Sequence, residues 1–327
     1  MIISRRRLLA GMAVPAALAV RPGPARAAGP KRQVTLLLGF PKGSSPDKRV
    51  RVFVEFLLPH LGGVELELRN LPGDAGRTML AALGDAPPDG STIGWVLTPT
   101  LAARMVDHAE PSLGQRIQLV GQIEREPVAI VSPSSDPVTS IQDIIQRASD
   151  DADAVPLGTP PPGSPPHLAA LRLQVLAQTQ LNIVTFPSPE AVRQAVLAGN
   201  VSVAALGLSA VIGDIREGSL SAIGIAARRR FGLLPDTPSL DEAGIPLAAF
   251  IRRGIAVPAG TPVELTMPLA GAFRAAAEED GFREQADANG YYAAWEEGGD
   301  WLAQMQIEQA ALTKLWETNP WLSSSRG

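Results

Sequence analysis

Leu36-Leu37-Leu38-Gly39-Phe40-Pro41-Lys42-Gly43-Ser44-Ser45-Pro46-Asp47 is the stretch from which the fold of this chain can be read. An apolar run stops at a Gly-Ser turn, and a proline stands where a helix begins. Ser45 suits the N-cap, because its hydroxyl can accept a bond from an orphan N–H of the first turn. Pro46 suits the first helical position, where no N–H is needed. The product is strand, tight loop and helix N-terminus, whose free N–H groups and positive helix end favour an anion. Gly163-Ser164-Pro165-Pro166-His167 repeats the arrangement before a second apolar helical pattern. Two such cradles imply one ligand gripped from two sides.

Outward from the first cradle, residues 34–40 form a continuous apolar run, as in a strand covered on both faces. Helical spacing over 47–61, a short strand at 64–68, a helix at 77–83 and a strand at 92–97 complete a β-α-β-α-β order, hence a mostly parallel sheet with helices on its faces. Two further short strands are expected at 117–122 and 128–131. Past the punctuation of 132–137 the α/β alternation restarts. Helices are expected at 141–147, 167–178 and 189–198, and strands at 155–157, 181–186, 201–206 and 222–226. Thr261-Pro262-Val263-Glu264 reads as a capping box that starts a helix running to about residue 279. The last helix is expected over about 299–317. These C-terminal helices have no sheet of their own and should return to the first half, with chain crossings near 128–132 and 254–258. Two β crossings beside a cleft describe a hinge.

The first 27 residues read as a leader. Paired arginines in Ser4-Arg5-Arg6-Arg7-Leu8-Leu9 precede an apolar stretch to Val20, and Ala25-Arg26-Ala27 supplies a cleavage site. The stretch is too short to span a bilayer and Pro15 interrupts it. A twin-arginine signal cleaved near Ala27 is expected, with a periplasmic product. The leader holds five arginines and no acid, so the mature chain is acidic, 24 basic against 33 acidic residues. That argues against nucleic acid or anionic lipid as partner. No cysteine is present, which excludes disulfides, thiolate catalysis and thiolate metal sites.

Six stretches, in order, resemble the periplasmic receptors of tripartite tricarboxylate transporters (the Bug/TctC family). Phe40-Pro41-Lys42-Gly43-Ser44-Ser45-Pro46-Asp47 resembles F-P-A-G-G-x-x-D, and Leu71-Pro72-Gly73-Asp74-Ala75-Gly76 resembles R-P-G-A-G-G. Pro87-Pro88-Asp89-Gly90-Ser91-Thr92 matches P-P-D-G-Y-T, and residues 163–169 resemble G-T-S-Q-H-L-A. Residues 234–246 are close to L-P-D-V-P-T-x-x-E-A-G-L-P, and residues 258–262 match P-A-G-T-P. The resemblance implies a type II periplasmic binding fold of class α/β: two α/β lobes joined by β crossings, with a ligand cleft between them. Lobe one would comprise 28–131 and 255–327, lobe two 132–254. It further implies a small mono- or dicarboxylate ligand, a membrane permease as partner, no cofactor and a monomer. Carried over residue by residue, ligand contacts fall at Lys42, Gly43, Ser44, Ser45 and Asp47, with Thr98 and Thr100. On the other lobe they fall at Thr159, Gly163, Ser164 and His167, with Ser209.

The chain departs from the family pattern in places. Lys42 stands for the usual alanine, and is either a charge-assisted donor to a carboxylate or a solvated loop lysine. Pro160, Pro161, Pro162, Pro165 and Pro166 remove backbone donors from the second cradle. Arg252 and Arg253 replace an aromatic pair, and are either a carboxylate clamp or exposed hinge arginines. The histidines His60, His108 and His167 have no metal-ligand spacing. Neither a G-x-S-x-G elbow nor a phosphate loop is present. A hydrolase is therefore disfavoured, and the alternative to a transport receptor is a ligand-sensing co-receptor for a membrane sensor kinase.

Overall fold

The computed structural model describes residues 32–135 and 138–322. The expected leader, residues 1–27, lies outside the described residues. In chain order the elements are β1 (Arg32–Leu38), α1 (Ser45–Leu57), β2 (Val64–Asn70), α2 (Arg77–Gly84), β3 (Thr92–Thr98), α3 (Thr100–Asp107), α4 (Ser112–Gln115) and β4 (Ile117–Pro133). There follow α5 (Ile141–Asp150), β5 (Leu157–Thr159), α6 (Pro165–Ala177), β6 (Ile183–Thr185), α7 (Pro189–Leu197), β7 (Val203–Gly207), α8 (Ile212–Glu217) and β8 (Leu220–Ile225). The chain closes with β9 (Phe250–Pro258), α9 (Val263–Glu278), α10 (Asp280–Ala288), β10 (Tyr292–Glu297) and α11 (Gly298–Thr318).

The strands run in the order β2-β1-β3-β9-β4-β7-β5-β6, with β8 and β10 also paired to β4. β1 is parallel to β2 and β3, and β5 is parallel to β6 and β7. β4 and β9 are antiparallel to each other and lie between the two parallel sets. Burial follows the two-residue period of a strand. Leu36 and Leu38 face one cluster with Phe53, Trp95 and Phe282, while Leu37 faces another with Leu83, Val96 and Trp301. In the other half, Val128 and Ile130 face one cluster and Ala129 and Val131 a second. Each lobe is thus a sheet covered on both faces. Phe53 anchors the first, with ring centroids 5.6 Å from Trp95 and 4.9 Å from Phe282.

Several expectations are corrected. The two strands expected at 117–122 and 128–131 are one 17-residue strand, β4. Glu124 and Glu126, between the two expected strands, are buried and ion-paired, so the strand continues through them. The capping box does not form: Pro262 occupies the N-cap, no side chain caps the helix, and the Thr261 hydroxyl donates to the Pro258 carbonyl at 2.7 Å. The first helix begins one residue early, with Ser44 at the N-cap and Ser45 already helical. β10 is an additional strand. It pairs with β4 at residues 121–125, which brings Glu296 and Glu297 into a sheet. The helices α5 and α7 are capped as their sequences dictate. Ser140 accepts from the Asp143 N–H at 3.1 Å, and Ser188 from the Ala191 N–H at 3.2 Å.

Candidate functional site: the facing strand ends

In α/β sheets, ligands lie beyond the carboxyl ends of parallel strands. Here those ends carry the loops that lead to α1, α3, α6 and α7, and side chains of one lobe meet loops of the other. At the first loop, Gly43 adopts φ +83° and donates its N–H to Asp47 Oδ2 at 2.8 Å. Asp47 is buried and also accepts from Arg51 Nε at 2.8 Å, Arg51 Nη2 at 3.0 Å and Asn70 Nδ2 at 2.9 Å. Burial would raise its carboxyl, but these donors hold it down to about 2. The Ser44 hydroxyl donates to the Pro41 carbonyl at 2.7 Å. Ser45, exposed at the start of α1, faces across the cleft, where its hydroxyl and N–H lie near enough to the carboxylate of Glu190, in the first turn of α7, to lower it. Burial pushes Glu190 up, and the nearby polar groups of Ser45 and Ser188 together bring it below the usual carboxylate range.

The second loop is built differently. Gly163 adopts φ +74° and donates to His167 Nδ1 at 3.4 Å, and the Ser164 N–H reaches the Pro161 carbonyl at 3.0 Å. Pro165 and Pro166 fill the first turn of α6. His167 is buried, and burial first, then the charge of Arg104, lowers it to about 4, so the ring is neutral at pH 7. Arg104 reaches this loop from α3, on the opposite lobe. Its guanidinium lies against Gly163, where a Cβ would come within 1.8 Å of Nη2. Arg104 pairs with Asp107, whose Oδ2 also accepts from Trp321 Nε1 at 2.7 Å. Thus α1 meets α7 across the cleft, and α3 meets α6.

Residues 63–314 match the tripartite tricarboxylate transporter family receptor, TctC. The chain belongs to this receptor family. A UPF0065 protein of Bordetella bronchiseptica is 27% identical over 243 residues, covering 72% of this chain and 70% of that one. A Rhodopseudomonas palustris protein solved with adipate superposes with a TM-score of 0.79 at 22% identity, covering 89% of this chain and 98% of its own. MatC of the same organism, solved with bound malate, gives 0.75 at 24% identity, covering 88% and 99%. The two-lobed α/β fold of periplasmic binding proteins is therefore the fold of this receptor. The family is one of solute receptors and not of enzymes.

Of the residues expected at the receptor's ligand site, Lys42 is exposed on the loop tip. Gly43 N–H, the Ser44 hydroxyl and Asp47 are engaged inside the loop. Thr98 is fully buried and accepts from Trp301 Nε1 at 2.9 Å, so its hydroxyl belongs to the core. Thr100 begins α3 beside Gly76. Thr159 is fully buried, with its hydroxyl donating to the Pro160 carbonyl at 3.1 Å. The Ser209 N–H donates to Glu126 Oε2 at 2.8 Å. That carboxylate belongs to a buried network in which Arg49 Nη1 lies 3.1 Å from Glu124 and 3.3 Å from Glu126, and Arg253 pairs with both acids. Burial would raise Glu126, but Arg253 and Arg49 hold it down to about 2. Arg253 is neither a ligand clamp nor exposed; it neutralises the receptor's own carboxylates. Arg252 likewise reaches Glu308, at 2.5 Å. Sequence reading missed Arg49, Arg104, Glu126 and Glu190. Charged residues in a buried strand were the one available signal, for Glu124 and Glu126; the others declare themselves only by what they face.

Among the described residues, no group of three or more His, Asp or Glu side chains could hold a metal, and no helix is long and apolar enough to cross a membrane.

Proposed function

We propose that this chain is an exported receptor that captures a small carboxylate between its lobes and presents the closed form to a membrane permease of the tripartite tricarboxylate type. The lobes would be 28–131 with 255–327, and 132–254, and the leader a twin-arginine signal. The observation that carries the reading is the approach of polar groups across the cleft at the strand ends, the Arg104 guanidinium against Gly163 and Ser45 near Glu190. It puts polar groups of both lobes where one ligand would touch both. The N-terminus of α1 is suited to a carboxylate, since one from the opposite lobe lies there. Relatives of the same fold were solved with adipate and malate, which supports an organic acid as ligand. Ligand held by both lobes favours the closed state by its differential affinity. A helix N-terminus contributes up to ~2 kcal/mol toward an anion, against the ~8 kcal/mol of a micromolar Kd, so direct hydrogen bonds supply most of the affinity.

A thermal-shift panel of mono- and dicarboxylates tests this. At least one acid should raise Tm, and Ser45→Ala should weaken that acid about 3–10-fold, the loss of one neutral hydrogen bond. A panel with no stabilising acid would remove the carboxylate ligand from the proposal.

A further inference from the structure

A carboxylate arriving at α6 meets a loop with no backbone donor open between residues 160 and 166. Five of those seven residues are prolines, Gly163 N–H is taken by His167, and Ser164 N–H by Pro161. Two side-chain groups at the same place are open. The Oγ of Ser164 is buried without a hydrogen-bond partner, and so is the Nε of Arg104. Arg104 is 1% exposed, and its guanidinium rests on Gly163, next to the N-cap residue of the 13-residue helix α6. One nitrogen, Nη2, faces Asp107, while Nε faces none of the protein's acceptors. A cation at the positive end of a helix is unfavourable, and a buried donor without an acceptor costs about 1–3 kcal/mol. An anion at Nε relieves both.

We propose that Arg104, together with Ser164, is the carboxylate anchor of the second cradle and the residue that makes this receptor prefer an ionised ligand end over a neutral one. The proposal rests on the receptor reading above and deepens it. Guanidinium donors form a fork, so Asp107 keeps Nη2 while Nε–H and the Ser164 hydroxyl donate to the ligand. Asp107 stays in place, held by Trp321 at 2.7 Å. Arg104 and Ser164 come from opposite lobes, so a carboxylate held by both bridges the cleft, and binding and closure become one event. The donors lost to the prolines of one lobe are supplied by a side chain of the other.

Isothermal titration of the full chain with malate, adipate and succinate, each against its diamide, tests the assignment. The wild type should bind at least one diacid and discriminate against the matching diamide. Arg104→Gln should lower diacid affinity about 10–100-fold, the worth of a charge-assisted bond, and leave the diamide unchanged; a merely structural arginine would lower both alike. Ser164→Ala should lower diacid affinity about 3–10-fold. Arg104→Gln leaves Asp107 buried and unpaired, so Arg104→Gln with Asp107→Asn removes both charges and keeps the comparison in a folded chain. Diacid affinity within about twofold of wild type, in either folded variant or in Ser164→Ala, overturns the anchor and leaves the receptor standing. No binding of any of the three acids by the wild type overturns the receptor reading and the anchor together.

Discussion

His167 and Asp47 show how single residues tie this fold to pH. The folded chain lowers His167 from 6.5 to about 4. Between those values the unfolded chain binds a proton that the folded chain refuses. Stability should therefore decline as pH falls from about 6.5 to about 4, by roughly 3 kcal/mol in all. Urea melts across that window check this, and His167→Asn should flatten the slope. Asp47 acts in the next window. Its folded carboxyl lies at about 2 against an ordinary 3.8, so its stabilisation is complete above about 4 and disappears as pH falls towards 2. Asp47→Asn weakens the charge-assisted bonds from Arg51 and should cost about 2 kcal/mol at pH 7 by chemical denaturation. Both residues were chosen from the sequence as ligand contacts. Their positions were legible because they stand at fixed places in a loop-helix start; their partners were not, because Arg104 is 63 residues from His167 and on another helix.

At the scale of elements, helix starts carry most of what local sequence dictates. Ser188 caps α7 through the Ala191 N–H, so Ser188→Ala should cost about 1 kcal/mol, read as a lower Tm. It should also let the Glu190 carboxyl rise, since the Ser188 hydroxyl is one of the groups that lower it. Gly163 is required twice, by φ +74° and by the guanidinium that a Cβ would meet at 1.8 Å. Gly163→Ala should therefore cost about 1–3 kcal/mol, more than a positive φ alone at an exposed turn; Gly43→Ala, with nothing within 4 Å of its Cβ, is the control. Where element readings failed, a tertiary contact had overridden a local rule. β4 runs unbroken through Glu124 and Glu126 because Arg49 and Arg253 neutralise both acids. β10 forms because β4 offers it an edge at residues 121–125.

For the whole molecule, the buried Arg49, Glu124, Glu126 and Arg253 network joins α1, both crossing strands and, through Ser209, the second lobe. Glu126→Ala would leave two guanidinium groups short of a buried partner and free the Ser209 N–H, and should cost about 3–5 kcal/mol in equilibrium denaturation. Replacing Glu126 and Arg253 together with leucine and methionine should cost much less, because an absent pair leaves fewer charges unpaired. Apolar runs, Gly-Ser-Pro starts and their order along the chain determined by themselves the α/β class, the two-lobed plan and the places where loops end on helices, since each depends on neighbours a few residues apart. Only the tertiary structure decided what those loops face. Thr98 turned inward to Trp301, Glu190 came near Ser45, and Arg104 came to Gly163. The physical reason is that a hydrogen bond or an ion pair is fixed by distance in space, and the lobes bring together residues that the chain keeps more than fifty positions apart.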